Sequence, residues 1–310
     1  MKNTLKPIFY FLVIIVFNNC ASNAQNENLK RTIDSLQQKN NLLERKLAEA
    51  TLKKTHSNVV LANTEVKKIT SSSNGQTYTI KIKLPREYSK NSTSYPVLYV
   101  TDAETNFGGV CYIVQRLIKD KLIPPMIIVG IAYDTDYKSF YQLRSRDLTP
   151  VEDKNLTIGG SIDPTGGAPL FSKFLEQELF PFIEKNYNVQ KNERTYYGHS
   201  YGGLFGTYVL INNPELFNKY LILSPSLWFY NRLMLKQVTE LSPDFGSGVK
   251  LYMASGELEQ GINRLQTIFI SKIKNNHFDK LTYKAEVLKN ETHRTIFGAG
   301  FTNGLRYLFE

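Results

Sequence analysis

The chain has few of the residues that cross-link small domains or bind metals, with two cysteines and four histidines among 310 residues. Two cysteines make neither a disulfide framework nor a zinc site built from several thiolates. Long apolar stretches are missing beyond the N-terminus, which excludes a protein with several membrane spans. Internal repeats are also missing. Because 42% of the residues are hydrophobic and 21% are charged, the composition is that of a globular protein, and wholly disordered or fibrous classes are excluded.

Acidic residues are too few to balance the basic ones: 38 Lys and Arg against 28 Asp and Glu leave a formal charge of +10. A basic balance can serve nucleic acid, an anionic surface or an acidic substrate. The lysines are scattered, and no helix-turn-helix, zinc-finger or single-strand-binding signature accompanies them. We therefore expect a solvated basic surface and no nucleic-acid partner.

Residues 1–24 predict an export signal. Two lysines precede the ten apolar residues 8–17, which are too few to span about 30 Å of hydrocarbon comfortably. Two processing routes stay open, namely cleavage before Gln25 or lipidation of Cys20, and an uncleaved anchor is a third alternative. We expect an exported bacterial protein, either in the periplasm or as a cell-envelope lipoprotein that lipidated Cys20 tethers to the membrane.

Residues 25–56 carry a heptad pattern that predicts a coiled-coil stalk. Apolar residues recur at steps of four and three, with one polar residue at an a position: Leu29, Ile33, Leu36, Asn40, Leu43, Leu47 and Ala50. A buried asparagine at an a position favours parallel, in-register pairing, so the stalk predicts a homo-oligomer. The alternative is a single amphipathic helix that packs on the following domain.

Residues 57–310 alternate strand and helix patterns, which predicts a mostly parallel sheet with helices on both sides. The first two strands, 58–70 and 76–84, alternate apolar and polar residues and are expected to pair antiparallel. Continuous apolar runs at 97–100 and 126–131 suit strands buried on both faces. The polar stretch 134–168 is expected to be a long loop.

The sequence Gly198-His199-Ser200-Tyr201-Gly202 is a G-x-S-x-G motif between a predicted strand and a predicted helix. In such a tight turn larger side chains would clash, and the serine hydroxyl is pushed out over the sheet beside the helix N-terminus. Ser200 is therefore the predicted nucleophile. A turn that matches the motif by chance is the alternative.

A nucleophilic serine needs a base. Of the four histidines, His56 lies in the stalk linker, His199 lies inside the turn and is expected to point the wrong way, and His277 is expected on the surface. His293 follows the last predicted strand, which is where the base lies in hydrolases built on a mostly parallel sheet. His293 is therefore the predicted base.

A carboxylate that orients the imidazole should follow another strand, between the serine and the histidine. Glu257 and Glu259 both follow the strand that ends at Gly256. We favour Glu259 and keep Glu257 as the alternative. The oxyanion hole needs two backbone donors. Tyr201 is expected to supply one of them and Ala103 or Glu104 the other.

Three more side chains are candidates for substrate binding. Arg144 and Arg146 could bind an anionic substrate or form a lid, although pairing with Asp147 is an equally good interpretation. Trp228 could line an acyl pocket, with ordinary packing as its alternative. The lone Cys111 is expected to be a buried apolar residue. The residues imply neither a metal nor an organic cofactor.

Five motifs in order resemble the esterase family of α/β-hydrolases that includes the esterase D group and the trilactone siderophore esterases of the enterobactin type. They begin at Tyr95, Arg144, Gly198, Ser224 and Gly256, and the resemblance covers about residues 60–310. It implies an α/β-hydrolase fold and a Ser200–His293–carboxylate triad with Tyr201 as oxyanion donor. Family members often have Leu-Asp-Gly where this chain has Thr101-Asp102-Ala103.

The function expected from these residues is hydrolysis of a small carboxylic ester through an acyl-enzyme, with siderophore-type esters among the substrates. One alternative is a carbohydrate esterase that removes feruloyl or acetyl groups. Another is a hydrolase-like envelope module without catalytic activity.

Overall fold

The computed structural model describes most of the chain, namely residues 23–55, 60–88, 93–158, 161–162, 164–241 and 243–310. The predicted signal up to residue 22, Cys20 within it, and His56 lie outside the described residues. Contacts divide the chain into two compact units, Met1–Val60 and Leu61–Glu310.

The N-terminal unit contains helix α1, Asn23–Thr55. Its 33 residues extend over about 50 Å at 1.5 Å per residue. Leucines of the heptad pattern are exposed along it, with Leu43 at 64% and Leu47 at 69%. The predicted helix is present, whereas its pairing with a second copy stays a prediction. In the described part of the chain, no helix has both the length and the apolar character needed to cross a membrane.

The second unit begins with an antiparallel pair, β1 (Thr64–Thr70) and β2 (Thr77–Lys83). Thr64 pairs with Lys83 and Thr70 with Thr77, so the turn that joins the strands is centred on Ser73 and Asn74. Ile69 of β1 packs against the core, whereas Val66 and Lys68 on the opposite face are exposed, as expected for an edge strand with one face open to solvent. The predicted antiparallel pairing is thus confirmed, although β1 begins at Thr64 and not at residue 58.

The strands that follow build the rest of an eight-stranded sheet. Their bounds are β3 Tyr95–Val100, β4 Ile127–Ala132, β7 Val189–His199, β8 Lys219–Leu223, β9 Val249–Gly256 and β10 Leu281–Leu288. The short strands β5, Thr157–Ile158, and β6, Ser161–Ile162, form a separate pair. The order across the sheet is β1-β2-β4-β3-β7-β8-β9-β10, and β4 through β10 in that order are parallel neighbours. The carboxyl ends of β7, β8 and β9 therefore lie side by side.

Helices cover both faces of this sheet. Their bounds are α2 Ala103–Lys119, α3 Tyr137–Leu148, α4 Ala168–Phe174, α5 Phe180–Asn186, α6 Tyr201–Asn212, α7 Phe229–Glu240, α8 Gln260–Asn276 and α9 Ile296–Phe309. A π-helical turn, Leu175–Leu179, joins α4 to α5.

Alternate residues of the central strands supply two separate hydrophobic cores. In β3, Val97 and Tyr99 join the core that contains α4 to α8, while Leu98 and Val100 join the core with α2 and α9. Because side chains alternate across a strand, a run that is apolar at every position is buried on both faces. The predicted mostly parallel sheet with helices on both sides is confirmed.

The expectation of a loop over 134–168 is wrong, because its first part forms α3. Asp136 caps this helix by accepting hydrogen bonds from the backbone N–H of Lys138 and Ser139. The buried face of α3 carries charged side chains as well as apolar ones, Arg144 and Asp147 beside Phe140 and Leu148. Hydrophobic periodicity therefore misses a helix whose inward positions are partly ionic.

Candidate active site

The G-x-S-x-G motif forms a sharp turn between β7 and α6. Ser200 stands at its apex with φ 59° and ψ −115°, a backbone conformation that L residues rarely adopt. Three backbone hydrogen bonds hold it there: Ser200 N–H donates to Leu223 O at 3.0 Å, and Ser200 O accepts from Leu204 N–H at 2.9 Å and Ser226 N–H at 3.1 Å. The strained conformation is thus fixed by neighbouring elements, as is common at functional sites.

The two outer glycines of the motif are required by close backbone approach. A Cβ on Gly198 would lie 2.3 Å from the carbonyl oxygen of Gly202. A Cβ on Gly202 would lie 2.6 Å from Oγ1 of Thr101, at the end of β3. A side chain at Gly198 would therefore force the turn open, and one at Gly202 would push the turn away from the end of β3.

His293 and Glu259 meet beside this turn. His293 Nδ1 and Glu259 Oε1 are 2.5 Å apart. The other carboxylate oxygen, Oε2, accepts hydrogen bonds from the Ser224 hydroxyl at 2.6 Å and the Gly256 N–H at 2.7 Å. Burial opposes ionisation of Glu259, but the bonds from His293, Ser224 and Gly256 outweigh it and lower the pKa of this carboxyl. An ionised Glu259 fixes the proton of a neutral His293 on Nδ1 and leaves Nε2 free to accept one.

The competing carboxylate, Glu257, is engaged elsewhere. It is exposed, and its Oε2 accepts a hydrogen bond from the backbone N–H of Asn290 at 2.9 Å. The loop after β9 approaches the His293 loop so closely that a Cβ on Gly256 would lie 2.3 Å from Glu291 O. Of the two glutamates that the sequence left open, Glu259 is the one that contacts the imidazole.

Ser200 and His293 line one cavity of about 580 Å³. Glu259 also lines this cavity, together with Tyr141, Arg144, Ser226 and Trp228. The Ser200 hydroxyl lies 3.4 Å from that of Ser226, and within the described residues it forms no hydrogen bond to His293. Such nucleophile–base bonds are often long before substrate binds.

Arg144 and Arg146, which the sequence treats alike, have different surroundings. Arg144 is buried at the cavity and forms a bidentate pair with Asp102, with both N–O distances 2.7 Å. Its guanidinium also lies 5.2 Å from the Tyr201 ring centre. Arg146 binds Asp147 at 2.7 Å and is not part of the cavity lining. The alternative given for Arg146, an ion pair with Asp147, is therefore the one observed. The position of Arg146 does not support the expected contact with substrate.

The residues expected to form the oxyanion hole begin two helices. Tyr201 is the first residue of α6, and its side chain lines the cavity. Ala103 and Glu104 begin α2 just after Asp102, whose φ is 54°. The Glu104 carboxylate is turned toward the backbone N–H groups of Tyr133 and Asp134, and burial raises its pKa. Which of the two backbone N–H groups serves as the second donor stays a prediction.

The remaining sequence candidates lie as follows. Trp228 lines the cavity and is 43% exposed, with its ring 6.0 Å from that of Tyr201. Cys111 is buried in α2, and burial raises the pKa of its thiol to about 12. His277 is exposed at the end of α8. Among the described residues, no three His, Cys, Asp or Glu side chains are grouped to hold a metal ion.

Sequence reasoning missed four residues that the fold brings to this site. Ser224 and Ser226 follow β8, the neighbour of β7, and Asp102 follows β3 on the other side. The usable signal was their position directly after parallel strands, since those ends meet at one edge of the sheet. His199 was set aside, yet its ring centre lies 4.5 Å from that of His293.

Asp102→Asn is expected to lower the free energy of unfolding by about 3–5 kcal/mol, because it leaves the buried Arg144 charge without its counter-ion. Urea unfolding measures the loss. Asp134→Asn is the matched control, since Asp134 has the same φ of 54° but forms an exposed pair with Lys68. The control should leave the unfolding midpoint unchanged. Equal midpoints for the two variants would contradict a stabilising role of the Asp102–Arg144 pair.

A nucleophile turn at the end of a central parallel strand, with a histidine–carboxylate pair from the next loops, is the arrangement of a serine ester hydrolase of the α/β-hydrolase fold. The family model described as "Putative esterase" matches residues 71–296. The chain belongs to that family, as the motifs in its sequence indicated.

Relatives support the same assignment. The chain is 34% identical over 210 residues to ferri-bacillibactin esterase BesA of Bacillus subtilis, covering 64% of this chain and 72% of that protein. It is 28% identical over 176 residues to the apo-salmochelin esterase of Escherichia coli, covering 56% and 54%. The crystal structure of the BES protein from Bacillus cereus superimposes with a TM-score of 0.73 at 30% identity, covering 82% of this chain and 99% of that one. The IroE-like serine hydrolase from Shewanella oneidensis gives 0.70 at 30% identity, covering 79% and 80%. The α/β-hydrolase fold predicted from the sequence is confirmed.

Proposed function

We propose that this esterase hydrolyses siderophore-type esters through an acyl-enzyme formed on Ser200, with His293 as base and Glu259 as the carboxylate that orients it. The observation that carries the proposal is the meeting of the Ser200 turn and the His293–Glu259 pair in one cavity. The substrate class is supported by the relatives, whose names specify ferri-bacillibactin and salmochelin.

Acylation starts when the Ser200 hydroxyl turns from Ser226 toward His293. Ser200 Oγ bonds to the ester carbonyl carbon as its proton passes to His293 Nε2. The carbonyl oxygen becomes an oxyanion, which the backbone N–H of Tyr201 and that of Ala103 or Glu104 stabilise. The carbon–oxygen bond of the ester then breaks, and His293 gives the proton to the departing alcohol.

Deacylation repeats these steps with water. His293 takes a proton from the water, whose oxygen attacks the acyl carbon, and Ser200 leaves with that proton as the acid is released. Throughout, the ionised Glu259 stabilises the imidazolium that forms on His293.

The rest of the cavity suits a substrate with aromatic and anionic parts. Tyr141 and Trp228 offer apolar ring surface, and Arg144 lies among the lining residues. Because Asp102 already binds Nε and Nη2 of Arg144, the pair has little net charge. We therefore assign Arg144 to shaping the cavity and to one further hydrogen bond, from Nη1 to an anionic group of the substrate, rather than to a second bidentate contact.

Fluorophosphonate labelling followed by peptide mass spectrometry tests the nucleophile, and an ester panel tests the substrate class. We expect a single adduct on Ser200 and faster hydrolysis of an enterobactin-type trilactone than of feruloyl or acetyl sugars. An adduct on any other residue would overturn the site. Preference for the sugar esters would leave the site intact and replace the substrate class with that of a carbohydrate esterase.

We further propose that the protein is exported and held at the cell envelope, with α1 as a parallel coiled coil between two copies. The lysines and apolar run before Cys20 support export, and the exposed heptad leucines of α1 support pairing. The mass of the mature N-terminus distinguishes a lipidated Cys20 from cleavage before Gln25.

Leu36→Glu is expected to convert the dimer to a monomer, because it places a charge at a d position of the predicted seam. Analytical ultracentrifugation of the mature protein measures the change. The matched control is Gln38→Glu, which adds the same charge on the outer face of the heptad and should leave the dimer intact. A wild-type monomer across the micromolar range would refute the pairing.

A further inference from the structure

His199 is the last residue of β7 and directly precedes Ser200. Its imidazole packs against that of His293, with ring centres 4.5 Å apart and planes inclined by 46°. The ring that the sequence analysis set aside therefore contacts the predicted base itself.

The chemistry of His199 makes it a poor base. Its Nε2 is buried and has no hydrogen-bond partner among the described residues. Burial lowers the pKa of His199 to about 4, and the neighbouring charges of His293 and Arg144 act in the same direction. The Asp102 carboxylate and a hydrogen bond to the His293 backbone oppose this shift without cancelling it. The ring is therefore neutral near pH 7, where a group of such low pKa abstracts protons weakly.

His293, by contrast, needs support. It lies on the loop between β10 and α9, and its side chain is 41% exposed. The bond from Nδ1 to Glu259 restrains one edge of the ring, so the opposite edge, which carries Nε2 and forms no hydrogen bond among the described residues, keeps more freedom to move. A second contact on the ring face would remove that freedom.

His199 is well placed to supply this contact, because its backbone is hydrogen-bonded within the centre of the sheet. Its strand, β7, lies between β3 and β8, and His199 itself pairs with Leu223. The same strand end carries Ser200. Because His199 is adjacent to Ser200, contact with its ring holds the predicted base at a defined distance from the predicted nucleophile.

We propose that His199 is a positioning residue, whose ring packs against the imidazole of His293 and holds its Nε2 toward Ser200. The inference rests on the proposed function, since it assigns His293 as the base. We assign this role to the packing of the ring, which requires a side chain of similar volume. The hydrogen bond between the His199 ring and the His293 backbone is the competing contact, and the variants that fill the space without nitrogen remove it.

The test compares His199→Ala with two variants that fill the space without nitrogen, His199→Phe and His199→Leu. We expect His199→Ala to lower kcat by about 100-fold with KM nearly unchanged, because a misplaced catalytic group loses rate and not ground-state binding. At least one filling variant should keep kcat within a few-fold and leave the pH profile of kcat/KM unchanged. His199→Asn, which keeps polarity but little volume, should behave as His199→Ala does.

A proton NMR readout separates this inference from the proposed function, because it requires no turnover. The His293 Nδ1–H proton shared with Glu259 should give a sharp low-field signal in the wild type and in a filling variant, and a broadened or lost signal in folded His199→Ala.

Unchanged kcat and an unchanged NMR signal in His199→Ala would overturn the inference. The inference would also be overturned if His199→Asn kept the wild-type kcat while both filling variants lost it. Failure of the wild type to label at Ser200 or to hydrolyse any ester would instead reject the proposed function, and the NMR comparison would still decide the packing role.

Discussion

Ser200→Ala is expected to lower kcat by about 10⁴- to 10⁶-fold and to abolish fluorophosphonate labelling. Alanine removes the attacking oxygen and keeps the Cβ, so the turn at φ 59° carries the same backbone strain as before. The residual rate is that which the oxyanion donors and substrate binding provide without a nucleophile. Steady-state kinetics on a nitrophenyl ester, together with peptide mass spectrometry, measure both effects.

Ser255→Ala is the matched control for this loss. Ser255 is a fully buried serine in β9, and its hydroxyl has no hydrogen-bond partner among the described residues. The Ser255→Ala variant loses a buried hydroxyl four residues before Glu259, but it should keep the wild-type kcat and the labelling of Ser200. Activity that survives in Ser200→Ala, or an equal loss in both variants, would be incompatible with Ser200 as the nucleophile.

Glu259→Gln is expected to lower kcat by about 10²- to 10⁴-fold, because it selects the wrong histidine tautomer. Gly256 N–H can only donate and faces Oε2, so the amide oxygen of glutamine must turn toward it. The amide NH₂ then faces His293 Nδ1, which has to accept a hydrogen bond. The imidazole proton moves to Nε2, where it blocks transfer of the proton from Ser200.

Glu257→Gln is the matched control, two residues away on the same loop. Its carboxylate accepts a hydrogen bond from the Asn290 N–H at the surface, and the amide oxygen of glutamine can accept the same bond. We expect unchanged kcat in this variant. If Glu257→Gln proves the more damaging change, the carboxylate role passes to Glu257, and equal activity of both variants would indicate a Ser200–His293 dyad that works without a carboxylate.

The two glutamates show where sequence reasoning stops. Both follow Gly256, and spacing alone left them as alternatives. The fold separates them, because Glu259 Oε2 is held by the Ser224 hydroxyl and the Gly256 N–H while Oε1 faces His293. A contact between loops that follow different strands depends on how the sheet orders those strands, and local pattern does not encode that order.

Helix α3 is the clearest error of the sequence analysis, and its cause is electrostatic. Arg144 and Asp147 occupy inward positions where periodicity expects apolar side chains. Their partners, Asp102 and Tyr78, come from other strands and their ends. For Arg144 the counter-ion comes from another element, whereas Asp147 has a local one in Arg146 and gains the Tyr78 hydroxyl from β2. Burial of these groups is tolerated because each has such partners.

By itself the sequence determined the alternation that gives a parallel sheet, the strained turn at Ser200 and the family to which the chain belongs, because glycine spacing and apolar runs are local requirements of those structures. Tertiary structure alone decided which glutamate meets His293, that Arg144 is paired at the cavity and Arg146 away from it, and that His199 packs on the ring of His293. These contacts join residues up to 94 positions apart in the chain. They exist only because parallel strands bring their carboxyl ends to a common edge.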